Sequence, residues 1–480
     1  MELRPVGYVI GLLVAALGGT MLIPFAVDLY DGLGHWPVFL EASVITILIG
    51  GLVALACSNG VKSGLTIQQT FILTTGVWLA LPLFGALPFA LGATDSSYTD
   101  AFFEAMSGLT TTGSTVLSGL EELPRGLLIW RALLQWLGGI GIIVVAMVFL
   151  PELRVGGMQI FRSEGFDTMG KILPRATEIS SRISVIYIGL TAACALTYGI
   201  AGMSPFDAIS HAMTTIATGG FANYDSSMGA FGAGVEYAAV VFMILAALPF
   251  VRYVQTLAGT AQPLFADSQI RTFLLTAAGI VILLAAWRWA QFDMIEQPFR
   301  KVLFNVVSIL TGTGYASADY MTWGSFPVVL FFFIGLIGGC AGSTACSIKI
   351  FRYQLLFASV VAQIKRIHSP HGVFSTRYDG RKVSDDVLSS VMSFFAYFIV
   401  TLGLISVALS LTGLDFITSV SGAAAALANI GPGLGAEIGP SGNFAGLNPV
   451  AKWILIAGML IGRLELMAVY VLFTVKFWRS

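Results

Sequence analysis

Four short turns rich in threonine and glycine carry the most suggestive chemistry in this sequence. They are Leu109-Thr-Thr-Thr-Gly113-Ser, Ile216-Ala-Thr-Gly-Gly220-Phe, Leu310-Thr-Gly-Thr-Gly314-Tyr and Leu427-Ala-Asn-Ile-Gly431-Pro. Extended backbone of this kind offers a ladder of carbonyl oxygens, and rings of such oxygens replace an ion's hydration shell in potassium-selective filters. Glycine belongs where the backbone takes left-handed angles and approaches a neighbour closely. One such turn means little in a chain with 54 glycines among 480 residues. Four of them, at glycine intervals of 107, 94 and 117 residues, read as an internal repeat. Asp100 and Asp207 each lie 13 residues before their glycine, whereas Lys301 and Thr418 hold that place in the third and fourth copies.

Each turn needs an element that delivers it. Ser204-Pro205 and Gln297-Pro298 look like a helix N-cap followed by proline at the first helical position. Pro205 to Ile216 would make a helix of about 18 Å, short of the roughly 30 Å of a hydrocarbon core. Such a helix reaches mid-membrane and must return. Re-entrant backbone cannot face lipid with its polar groups unpaired, so it must line a water- or ion-filled space. The carboxyl end of the short helix aims negative dipole at that space, which favours a cation.

Composition supplies the surrounding scaffold. Hydrophobic residues make up 56% and charged residues 11%, against about 25% charged in soluble domains. Runs long enough to cross a bilayer are Val9–Val27, Trp36–Cys57, Thr70–Leu91, Leu127–Leu150, Ile183–Met203, Tyr237–Val251, Thr272–Trp287, Val391–Leu411 and Trp453–Val475. With Phe326–Gln363 the expectation is about ten spans. Only Arg4 precedes the first run and no cleavage site leads into a soluble domain, so that run reads as a span, not a signal peptide. With a cytoplasmic N-terminus, 18 of the 25 Lys and Arg fall on the cytoplasmic side, including Lys62, Arg154, Arg162, Lys171, Arg175, Lys349 and Arg352. Both termini are then cytoplasmic. The outer loop 204–236 carries Asp207, Asp225 and Glu236 and no Lys or Arg, an acidic face that would attract cations modestly. Trp287-Arg-Trp289 reads as an interfacial anchor.

Phe326–Gln363 would be about 57 Å long as one helix, nearly twice the hydrocarbon core. Its middle, Gly338-Gly-Cys-Ala-Gly-Ser-Thr-Ala-Cys-Ser347, is almost all small residues. Broken backbone at that depth must line a cavity; the alternative is small-residue helix packing. Arg463 sits midway along the last apolar run, where a charge costs roughly 2.5–3.5 kcal/mol or more and marks a functional candidate. A pair with Glu465 is doubtful, because residues two apart on a helix point to different sides. Arg463 is expected to hold the small-residue loop through its carbonyls. His211 reads as a packed helix residue. Cys57, Cys194, Cys340 and Cys346 read as small apolar packing residues, and no metal-site spacing accompanies them.

These turns, the small-residue break, Arg463 and two extra N-terminal spans resemble the Trk/Ktr/HKT superfamily of potassium transporters, most closely its bacterial TrkH/TrkG branch. The resemblance covers the whole chain. It implies an all-α polytopic membrane protein with four pseudo-symmetric helix–pore loop–helix units around one pore, plus two N-terminal spans. The divisions are 1–67 for the hairpin, then 68–181, 182–271, 272–386 and 387–480 for the units. Gly113, Gly220, Gly314 and Gly431 would be the filter glycines. Thr111, Thr112, Thr218, Gly219, Gly312, Thr313, Asn429 and Ile430 would supply carbonyls below them. Gly338, Gly339, Ala341, Gly342, Ser343, Thr344 and Ala345 would form a gating loop, with Arg463. The resemblance also implies a homodimer, cytosolic nucleotide-binding RCK-type subunits and a bacterial inner membrane. Potassium would be the transported ion, with no organic cofactor and no nucleic acid as partner. The turns depart from a Thr-Val-Gly-Tyr-Gly signature and the fourth departs furthest. That predicts potassium preference with some sodium or rubidium passage. Sodium-favouring plant relatives carry serine where this chain has Gly113.

A proton- or sodium-coupled secondary transporter is the rival reading, with Glu465 as the main candidate for a relay. Such proteins usually show two related halves, whereas this chain shows four quarters. A membrane enzyme would need a nucleophile–base or metal constellation, and neither HExxH nor Gly-x-Ser-x-Gly is present. The basic segments 151–182 and 349–386 are open to a regulatory protein or to lipid headgroups.

Overall fold

The structure, a computed structural model, describes residues 2–32, 34–60, 65–94, 96–145, 157–158, 176–260, 262–291 and 296–479. Lys62, Arg154, Arg162, Lys171, Arg175 and the end of the run Leu127–Leu150 lie outside the described residues.

An N-terminal hairpin comes first: α1 (Arg4–Thr20) runs into α2 (Leu22–Asp31), and α3 (Trp36–Cys57) returns along it. Four units follow, each with a long helix, a short helix and a second long helix. The first is α4 (Ile67–Gly85) with α5 (Leu87–Leu91), then α6 (Tyr98–Leu109) and α7 (Arg125–Val144). The second is α8 (Ala176–Ile200), α9 (Pro205–Ile216), and α10 (Ala233–Ala246) with α11 (Phe250–Leu257). The third begins with α12 (Gln262–Ala266) and α13 (Ser268–Gln291). It continues through α14 (Glu296–Leu310), α15 (Ser325–Gly335) and α16 (Ile350–His368). A two-stranded hairpin, β1 (Arg377–Tyr378) and β2 (Arg381–Lys382), leads to the fourth. That unit is α17 (Asp385–Ser410), α18 (Phe416–Ala428) and α19 (Pro449–Arg463), ending in α20 (Met467–Tyr470) and α21 (Val475–Arg479).

The short helices start where caps are available. Ser97, Ser204 and Asp415 accept the backbone N–H of Asp100, Asp207 and Thr418. Helix α14 begins at Glu296, ahead of the expected start at Pro298. The short helices are enclosed, polar residues included: every residue of α6 from Ala101 to Leu109, Glu104 and Ser107 among them, is buried. Each short helix packs on the second long helix of the preceding unit: α9 on α7, α14 on α10, α18 on α15. The ring closes with α6 on α19.

Among the described residues, seven helices are long and apolar enough to cross a membrane, or nine when two bent pairs are counted. These nine coincide in place with nine of the ten expected runs, and the tenth, Phe326–Gln363, is broken between Gly335 and Ile350. The second long helix is interrupted in three units. Unit two bends by 87° between α10 and α11, where Pro249 cannot continue a helix. Unit three has no helix between Gly335 and Ile350. Unit four bends by 105° after Arg463, through Glu465 and Leu466 at φ of 57° and 55°.

Candidate functional site

The four short helices end alike. The N–H groups of Thr111, Thr218, Gly312 and Asn429 reach back to the carbonyls of Gly108, Thr215, Ile309 and Ala426 at 3.0–3.2 Å. The next N–H groups, of Thr112, Gly219, Thr313 and Ile430, reach Ser107, Thr214, Ser308 and Ala425 at 2.9 Å. This paired pattern is a Schellman stop, which puts its first residue in left-handed conformation. The φ angles there are 52°, 49°, 75° and 52°. The last carbonyls of each helix are thus closed off, and the chain leaves extended toward the glycine.

The four glycines then meet in sequence around a ring. A Cβ on Gly113 would come within 2.1 Å of the Gly219 carbonyl oxygen, and one on Gly220 within 2.0 Å of the Thr313 oxygen. A Cβ on Gly314 would lie 2.7 Å from Gly431 N, and one on Gly431 3.1 Å from the Gly113 oxygen. Unit one therefore touches two, two touches three, three touches four, and four touches one. Gly113, Gly220 and Gly314 have φ of 87°, 77° and 81°; Gly431 is needed for close approach alone. Direct bonds cross the ring as well. Ser114 Oγ donates to Gly431 O at 2.7 Å, and Asn429 Nδ2 donates to Thr112 Oγ1 at 3.0 Å. The Gly219 carbonyl also accepts Gln135 Nε2 at 2.7 Å, so one of its lone pairs serves a side chain.

The outgoing strands are fixed by residues that the repeat pattern alone did not single out. Three residues past each glycine, a backbone N–H is taken by a side chain on the same unit's short helix. Val116 N donates to Glu104 Oε2 (3.0 Å), Asn223 N to His211 Nε2 (3.3 Å), Ser317 N to Asn305 Oδ1 (3.2 Å) and Leu434 N to Ser421 Oγ (2.9 Å). The first three acceptors stand nine residues before their glycine and the fourth ten. This near-constant offset was the available signal; four different residue types hid it. His211 is fully buried, with Nδ1 against the Asp207 carbonyl at 2.8 Å, which suits a neutral ring accepting through Nε2. Glu104 is held by buried Arg131 at 2.8 Å, whose Nη1 donates to Ala222 O in unit two at 2.6 Å. The Tyr315 hydroxyl bonds Thr214 and Thr215 on α9.

The acidic residues of loop 204–236 also serve the structure, while Asp225 stays exposed. Asp207 takes Asn223 Nδ2 and the Tyr224 hydroxyl, Asp225 caps Gly119 and Leu120, and Glu236 takes Arg300 and Lys301. Burial, with the Asp207 carboxylate beside it, raises the Tyr224 hydroxyl above its ordinary value of 10 and keeps it a donor.

On the other side of the ring lies the small-residue loop. It is not a helix, so its backbone groups must find partners elsewhere. Cys340 N donates to Ala247 O (3.0 Å), Thr344 Oγ1 to Ala246 O (3.0 Å), and Phe250 N to Gly342 O (2.9 Å). The loop is thereby seated on the break in unit two. Ala341 N reaches Gln269 Oε1 at 2.9 Å, and Ser347 N reaches Ala428 O at 2.9 Å. Gly338 and Gly339 close the loop's base on Ile348 and Ile350. Ser343 Oγ bonds Cys340 O, and Ala345 O accepts the Lys349 ammonium.

Arg463 stands at the end of α19, not midway along a span, because the chain turns there. It meets the loop through Cys346 Sγ at 3.0 Å, not through carbonyls, and reaches Gly138 O at 3.4 Å. Cys346 is accordingly more than a packing residue. Its Cβ lies 2.9 Å from where a Cβ on Gly312 would stand, directly against the third turn. Glu465 pairs with Arg352. Arg352, expected in the cytoplasm, is buried beside it, and Lys349 is half-buried. The space below the turns is about 30 Å³, the share of one water. Above the ring a cavity of about 170 Å³ is lined from all four units.

A ring of backbone turns with a cavity on one side and the small-residue loop on the other is geometry suited to an ion pathway. The model of the TrkH family, described as a cation transport protein, matches residues 35–479. The chain belongs to the TrkH family. Trk system potassium uptake protein TrkI of Halomonas elongata is 46% identical over 86% of this chain and 84% of its own length. TrkH of Escherichia coli K12 is 37% identical over the full length of both. The crystal structure of the potassium transporter TrkH from Vibrio parahaemolyticus superposes with a TM-score of 0.90 at 35% identity, covering both chains entirely. TrkH-family proteins are transporters rather than enzymes, and this chain shares their four-unit fold.

Proposed function

We propose that this protein takes up potassium ions through a filter of main-chain carbonyls at the four turns, gated by the loop 338–347. Gly113, Gly220, Gly314 and Gly431 are its filter glycines. Thr111, Thr112, Thr218, Gly219, Gly312, Thr313, Asn429 and Ile430 supply carbonyls beneath them. Gly338, Gly339, Ala341, Gly342, Ser343, Thr344 and Ala345 form the gate, held by Arg463. Cyclic contact of the four turns carries this reading, since four carbonyls around one axis are what strips a cation of water. The potassium uptake named for its relatives points the same way. Engagement of Glu465 by Arg352 favours a gated pore over a proton relay.

The protein acts as one component of a multi-part Trk system. It is a homodimer in the bacterial inner membrane with both termini cytoplasmic, and its basic inner segments dock RCK-type subunits. Its working divisions are 1–67, 68–181, 182–271, 272–386 and 387–480. Flux of potassium, rubidium and sodium into liposomes, wild type against Gly113→Ser, tests the filter. A serine Cβ would strike the Gly219 oxygen. Potassium preference should fall by about tenfold, or about 1.4 kcal/mol of discrimination; unchanged preference would overturn the assignment.

A further inference from the structure

An apolar chamber of about 460 Å³ lies between the N-terminal hairpin and unit one. Its walls include Leu13 of α1, Trp78 of α4, Leu109 at the end of α6, Gly138 and Gly141 of α7, and Ser184 of α8. The chamber has three hydroxyls, and each is bonded to its own helix: Thr20 to Leu17 O (2.7 Å), Thr74 to Thr70 O (2.8 Å) and Ser184 to Ser180 O (2.8 Å). With those hydroxyl hydrogens bonded, the lining is apolar apart from the Trp78 indole N–H, and cavities with so apolar a lining take apolar guests. Its volume is about three times the roughly 150 Å³ that accommodates benzene.

Most of the walls belong to helices long and apolar enough to cross a membrane, and the linings from α1 (Leu13, Ala16, Leu17) and α4 (Thr74, Val77, Trp78) lie within those spans, away from their ends. Leu13 and Ala16 are exposed at the rim. At that depth the medium outside the rim is hydrocarbon. We propose that the chamber binds one acyl chain of a bilayer lipid.

The chamber's inner wall is also the seat of Arg463. The guanidinium carbon stands 5.6 Å from the centre of the Trp78 ring, and Nη2 faces Gly138 O at 3.4 Å. A chain filling the chamber braces both groups and so holds Arg463 against Cys346. This link rests on the gate reading above; lipid binding itself does not.

The test uses the full chain in phosphatidylglycerol–phosphatidylcholine vesicles containing a diazirine-bearing acyl chain, with photolabelled peptides mapped by mass spectrometry. Gly141→Phe is the filling variant, since only Trp78 Cζ2, at 3.9 Å, lies near the new Cβ. Ala16→Phe fills the chamber from the opposite wall. Wild type should carry label on the segments around Trp78 and Gly141, and both variants should lose it without a change in melting temperature. Equal labelling in the variants, or none in wild type, would overturn the site; the latter would mean that a second copy or another stretch of this chain fills it. Rubidium flux should change in both variants. Lost label with unaltered flux would keep the site and refute its link to Arg463. Filter selectivity, read separately, does not enter either outcome.

Discussion

Thr111 and Thr218 hold left-handed backbone angles that β-branched side chains rarely adopt, at a cost of order 1–3 kcal/mol each. Local propensity opposes them, so sequence reasoning named their carbonyls without foreseeing their conformation. Gly113, Gly220 and Gly314 were legible because only glycine suits both a positive φ and contact with the next unit. Cys346 was not, because a small apolar residue and a latch for a guanidinium look the same in a string of letters. Gly312→Ala should drive a Cβ to 2.9 Å from that of Cys346 and displace the loop. Basal rubidium flux should rise severalfold, and a flux equal to wild type would contradict the plug. Arg463→Ala should raise flux as well, because it removes both a positive charge below the ring and the contact with Cys346. Unchanged flux and gating would remove Arg463 from the gate.

At the scale of elements, two of the three interruptions had a readable cause. Small residues and excess length betrayed the loop of unit three, and Pro249 marks the bend in unit two. The turn at Glu465 and Leu466 has neither Gly nor Pro, so its apolar run read as one span. There the buried Arg352–Glu465 pair and the packing of Arg463 decide the path. The acceptors Glu104, His211, Asn305 and Ser421 were likewise hidden, because four chemistries perform one task. Arg131→Ala would leave Glu104 buried without its ion partner and should destabilise the protein by about 3–5 kcal/mol. Thermal unfolding in detergent checks this. The double variant Glu104→Gln, Arg131→Met should recover part of the loss, whereas an Arg131→Ala protein as stable as wild type would show that the pair does not secure the first strand.

For the molecule as a whole, the repeat predicted closure before any packing was visible, because four half-length hairpins cannot each face lipid. Closure appears twice: in the short helices, each packed on the preceding unit, and in the turns. The break between α10 and α11 then serves the neighbouring unit, providing carbonyls that seat the loop. No sequence pattern within unit two announced that service, since the partner lies in unit three. The measurement that bears most directly on the central claim is anomalous scattering from crystals grown in rubidium chloride. A rubidium peak should lie on the axis among the carbonyls of Thr112, Gly219, Thr313 and Ile430, coordinated by all four units. An axis without a peak, or rubidium bound by one unit to the side of the ring, would contradict the account.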